Sequence, residues 1–132
     1  MNEIKGLDKI EAITNQAWTP GDLAIVEAMN LTTNPSNFRA DLAMQALCQP
    51  RGKVWPDYNS KMVRCLILFS GVGSLNLYQF SGDTQIMGFD IDYRGDDGLE
   101  NINFEIFDYE DDRISFTCDE IEILSAESVW KT

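Results

Sequence analysis

The sequence contains no histidine. That excludes Ser-His-Asp and Cys-His nucleophilic catalysis, histidine-ligated zinc and a histidine pH switch. Any acid–base role falls to Asp, Glu, Lys, Tyr or Cys. Cysteine is scarce and odd in number: Cys48, Cys65 and Cys118 stand far apart among apolar neighbours, with no CxxC pair. They read as small buried hydrophobes of a reducing compartment, not as disulfide partners or metal ligands. No apolar run approaches the roughly 18 residues of a membrane span, and the opening segment 1–6 has no apolar signal core. Cytoplasmic residence is the expectation that follows. Repeats, low-complexity tracts and long linkers are missing too.

What is present suffices for a core. Of 132 residues, 44% are hydrophobic and 11% aromatic, which argues against disorder despite a net charge of −12. A chain of this size buries about two-thirds of its extended surface, so residues 1–132 are expected to form a single domain. The charge is concentrated. Residues 1–89 carry eight acids against seven bases, whereas residues 90–122 carry thirteen acids against Arg94 and Arg113. Such a field repels nucleic acid and anionic lipid and attracts a basic protein surface.

Residues 6–18 place Leu7, Ile10, Ile13 or Thr14, and Ala17 on one stripe, the spacing of a short N-terminal helix. Thr19, Pro20 and Asp22 then make a good helix start ahead of LAIVEAM, yet Leu23, Ile25, Met29 and Leu31 also alternate. The same ambiguity returns at 41–49, and local propensity favours helix in both places. From Lys61 onward, alternation dominates. MVRCLILFS (62–70) reads as a central strand apolar on both faces, Gly71–Ser74 as a turn, and 75–80, 84–93, 101–109, 113–118 and 120–124 as strands. Short turns between them predict a C-terminal antiparallel meander.

Motifs for chemistry are weak. Asp90-x-Asp92-x-Arg94-Gly95 opens like a calcium loop, but Arg94 occupies the fifth place and Asn101 the twelfth. Ser70-Gly71-Val72-Gly73-Ser74 is neither a nucleophile elbow nor a phosphate loop. A glycosidase-like carboxylate pair needs one acid in a dry cleft, and most of these acids fall on the polar side of strands or in turns. Trp55 and Tyr58, in the RGKVWPDY segment, are residue types that anchor interfaces when exposed and cap a sheet when buried.

The second half also resembles a known family. Leu68-Phe69-Ser70-Gly71-Val72, Leu75-Asn76-Leu77, Gly88-Phe89-Asp90-Ile91 and Ile114-Ser115-Phe116-Thr117-Cys118-Asp119-Glu120-Ile121-Glu122-Ile123-Leu124-Ser125 follow one another in an order that resembles the immunity protein 50 family of bacterial polymorphic-toxin systems. The match spans about 62–127 and extends loosely to Trp18, Pro20 and Asp22. Family members carry a His-Asp pair near the Trp-Pro segment, where this chain has Gly21-Asp22. The resemblance implies strands at 23–31 and 40–48. It also implies a non-enzymatic cytoplasmic protein that binds and blocks a cognate toxin.

Together these readings predict a mainly β domain, a single antiparallel sheet folded as a sandwich or open barrel, with a short N-terminal helix. They predict no catalytic residues, no metal and no cofactor. The expected partner is a basic toxin protein, docked on Asp92, Asp96, Asp97, Asp108, Glu110, Asp111 and Asp112, with Trp55 and Tyr58 as anchors if exposed. A closed apolar cavity of about 300 Å³ would favour a small-ligand binder instead. Two inward-facing acids within ~10 Å would favour an enzyme.

Overall fold

A computed structural model describes residues 4–34, 39–49, 61–80, 84–86, 88–94, 103–110 and 112–130. Among them are one α-helix, α1 (Asp8–Thr14), a single 3-10 turn at Pro20–Asp22 and eight strands. The strands are β1 (Leu23–Asn34), β2 (Arg39–Cys48), β3 (Lys61–Leu77), β4 (Thr84–Gln85), β5 (Phe89–Tyr93), β6 (Phe104–Asp108), β7 (Ile114–Cys118) and β8 (Glu120–Trp130). They form one antiparallel sheet in the order β4-β1-β2-β3-β7-β6-β5, and β8 branches from β3.

The two ends of that order are consecutive along the chain. Only residues 86–88 separate β4 from β5, a link that spans at most about 14 Å. The sheet is therefore curled into an open barrel, and β5 packs against the Pro20–Asp22 turn that leads into β1. Gly88, at φ +76°, lets the chain turn from one end of the sheet to the other.

The expected strands at 23–31 and 40–48 are present as β1 and β2. The helix start at Thr19 also forms: the Thr19 side chain takes the Asp22 N–H while the Asp22 carboxylate takes the Thr19 N–H. It ends after one turn because the residues that follow pair with β2 from Leu23 to Asn34, and tertiary pairing outweighs local propensity.

Three expectations need correction. The strand expected over 84–93 is broken after Gln85, so β4 and β5 are separate strands at opposite ends of the sheet. Gly71–Ser74 is not a turn between strands; β3 runs through it for 17 residues. Gly71 (φ +69°) and Ser74 (φ +54°) bend the strand without ending it. Nor do β7 and β8 form a hairpin. Only Asp119 separates them, and both lie antiparallel along β3: β8 on its first part and β7 beyond the bend. The two long ribbons bend at one joint, where Asp119 N–H donates to Ser70 O at 2.8 Å. A Cβ on Gly71 would stand 3.0 Å from the Asp119 Cβ.

The bend brings the two halves of the sheet face to face over one core. Val63, Cys65, Ile67 and Phe69 of β3 meet Ile114, Phe116 and Cys118 of β7, all buried. Phe69 and Phe116 pack edge to face with ring centroids 4.9 Å apart. Ile10 of α1 and Trp18 close one side. A smaller cluster of Ala24, Ile25, Leu47 and Met62 lies apart from this core, joined by Val129.

Candidate protein-binding face

Strand parity decides which carboxylates reach water. In β5, β6 and β7 the inward positions include Phe89, Phe104, Ile106, Ile114 and Phe116. The alternate positions, Asp90, Asp92, Glu105, Phe107, Ser115 and Thr117, form the outer face. On it Asp92 lies directly opposite Glu105, a like-charge pair that is unfavourable unless a cation intervenes. Arg94 supplies that cation: Nη2 is 3.6 Å from Asp92 Oδ2 and 3.4 Å from Glu105 Oε1. All three side chains are 41–49% exposed, so water screens these contacts. Asp90 faces Phe107 across the same two strands and accepts the Ile91 N–H. Three carboxylates thus share the face with Arg94. Beside them lies an open hollow of about 300 Å³ lined by Ser74, Asn76, Glu105, Phe107, Ser115, Phe116 and Thr117.

The predicted residues divide into three groups. Asp92 is on this outer face, and Glu110 and Asp112 are exposed at the β6–β7 turn. Asp108 corrects the prediction. It occupies the inward parity of β6, is 1% exposed, and its Oδ1 accepts the Ile114 N–H at 2.8 Å. Its carboxylate closes the turn from inside and offers nothing to a partner. Asp96, Asp97, Asp111, Trp55 and Tyr58 lie outside the described residues. Sequence reasoning left out Asp90 and Glu105. Period-two spacing from Asp92 could have found Asp90, but Glu105 joins only through the β5–β6 register.

A second polar arrangement lies on the outer side of β1, β2, β3 and β8. A bulge in β1 falls at Glu27, whose side chain is 9% exposed. Its carboxylate accepts Arg64 Nε at 2.7 Å, Arg64 Nη2 at 3.0 Å and Gln45 Nε2 at 3.1 Å. Arg64 Nη1 also reaches Glu127 Oε1 at 3.6 Å. Hydrogen bonding to Glu27 holds the Arg64 guanidinium above its ordinary pKa, against the opposing effect of burial. An open hollow of about 290 Å³ adjoins it, lined by Gln45, Arg64, Cys65, Leu66, Ser125, Ala126 and Glu127.

The three cysteines are buried and free. Trp18 Nε1 donates to Cys48 Sγ at 3.5 Å, and the Cys48 and Cys65 sulfurs are 3.8 Å apart. The contact with Cys48, and then burial, push the Cys65 thiol far up. Burial pushes Cys118 up to about 12. Both stay protonated at neutral pH and are poor nucleophiles. Among the described residues no three Cys, Asp or Glu side chains gather where they could hold a metal ion. No described helix is long and apolar enough to cross a membrane. Set against family models, curated proteins and solved structures, the chain matches none.

Proposed function

We propose that the protein is a cytoplasmic binding protein of the toxin-immunity kind. It holds a basic partner protein against the outer face of β5 and β6 and blocks it by occlusion, without chemistry of its own. The observation that carries this reading is the sharing of one water-facing surface by Asp90, Asp92 and Glu105, with Arg94 between the last two, while Glu110 and Asp112 are exposed at the β6–β7 turn. These carboxylates spread over a sheet surface and do not converge in a dry cleft, so they suit attraction and docking better than proton transfer. The resemblance of residues 62–127 to immunity proteins points the same way.

Attraction of this kind acts mainly on the association rate. Complementary fields raise it well above the unassisted ~10⁵–10⁶ M⁻¹s⁻¹, and salt removes the gain because the Debye length is only about 8 Å at physiological ionic strength. The test is stopped-flow mixing of the protein with the purified product of a toxin gene adjacent to its own. Association is expected to slow about tenfold between ~50 mM and ~500 mM salt. At low salt, the Asp92→Asn, Glu105→Gln double variant should lose part of that speed. A rate that ignores both salt and charge removal overturns the reading.

A further inference from the structure

We infer that the outer edge of β8, from residue 124 to residue 130, receives an extended strand of the basic partner by main-chain pairing. The identity of the partner rests on the reading above; what is added is where its backbone docks.

β8 is bonded to β3 along its whole length, from Glu120 opposite Ser70 to Trp130 opposite Lys61. Among the described residues, its other edge is paired only at the start. Lys5 N–H donates to Ile121 O at 3.0 Å and Ile123 N–H donates to Lys5 O at 2.7 Å. At Gly6 the chain then turns away into α1 with φ +80°, so close that a Cβ there would collide with the Ile123 carbonyl. Beyond Ile123, among the described residues, no strand pairs with this edge. Exposed edges are usually blunted by charged side chains, proline, β-bulges or very short strands. The one register shift between β8 and β3 lies at Leu124, at the start of this edge, and Ser125 to Trp130 continue in register. Residues 124–130, LSAESVW, contain neither lysine nor proline.

Charge decides between possible occupants. Glu127, 67% exposed, shares the Arg64 guanidinium with Glu27, which already holds it through two shorter contacts. Two carboxylates on one guanidinium leave a negative charge at the middle of the open edge. The chain as a whole carries −12, so a second copy would bring another Glu127 and a repelling field to the same strip. A strand bearing lysine or arginine answers both. Its outward side chains would come over the hollow lined by Arg64, Leu66, Ser125 and Glu127. β1 also lacks a described strand on one edge beyond Val26, but residues 28–34 there carry no charge. Strand addition of this kind takes affinity from the backbone and selectivity from alternate side chains.

Amide hydrogen exchange of the intact protein, read by NMR with a ten-residue Lys/Val alternating peptide, tests the inference. Amides of 124–130 that exchange freely in the protein alone are expected to slow about tenfold at ~1 mM peptide. A Glu/Val peptide, or the Lys/Val peptide N-methylated along one edge, should give no slowing. Glu127→Lys should reverse the preference between the Lys and Glu peptides. No slowing, or slowing along 28–34 instead, overturns the inference. So does a dimer in sedimentation whose 124–130 amides are already protected, because the second copy is then the occupant. None of these results alters the salt dependence of association with the toxin, so failure here and failure of the acidic-face reading remain distinguishable.

Discussion

On the outer side of β1, β2 and β3, Glu27 is almost enclosed and takes three donors between 2.7 and 3.1 Å from Arg64 and Gln45. On the outer side of β5 and β6, Asp92 and Glu105 are nearly half exposed and share Arg94 at 3.6 and 3.4 Å. The residue types are the same, yet the two arrangements do different work. A bidentate, poorly hydrated pair fixes geometry, and losing one member strands the other without water to replace it. A loose, wet cluster adds little to stability and projects a field outward. Depth and distance, not composition, separate a charge that holds strands together from one that can serve a partner.

Both regions rest on one core, and the largest expected effect tests that. Phe116 of β7 is 2% exposed and meets Phe69 of β3 across the curl. Phe116→Ala should cost about 3–5 kcal/mol in urea unfolding. It should also keep a single transition, since the halves fold together. Two separated transitions would show that the bend at Gly71 divides the protein into independent units, and the contrast between faces would become one between domains.

Arg64→Met breaks the enclosed arrangement and should be the next largest, at about 2–3 kcal/mol. The cost arises from Glu27, left charged at 9% exposure with only Gln45 among the donors named above. Adding Glu27→Gln should recover part of the loss, because an uncharged amide needs less compensation. If the double variant is simply the sum of the two singles, the pair is not acting as a unit.

How much of this was legible follows the same division between local and distant causes. The alternation within 62–70, 84–93, 101–109 and 113–118 marks strands, because a half-buried strand writes its two faces into the sequence, but it does not mark the break between β4 and β5. β1 and β2 were ambiguous because Ala, Leu, Met and Glu suit a helix, and only pairing with β3 and with each other settles the matter. Gly71–Ser74 has the vocabulary of a turn. It bends without turning because Asp119, 48 positions later, interrupts the facing ribbon at the same level. Asp108 was legible and misjudged: its parity with Phe104 and Ile106 points inward, and the acidic neighbourhood outweighed that parity. The Glu27–Arg64 pair lies 37 residues apart in sequence, and nothing local joins the two before the register of three strands is known.

The smallest expected effect is the most informative about function. Neutralising the exposed cluster with Asp92→Asn and Glu105→Gln should change stability by no more than ~0.5 kcal/mol, since exposed pairs contribute little. Relief of the direct Asp92–Glu105 opposition offsets what Arg94 loses. Near-zero cost in urea unfolding beside a slowed association at low salt would separate the Asp92–Glu105–Arg94 cluster from the enclosed Glu27–Arg64 pair, the first outward-looking and the second structural. A cost close to that of Arg64→Met would mean that the β5–β6 carboxylates are also structural. The surplus charge proposed to attract a basic partner would then already be committed within the fold.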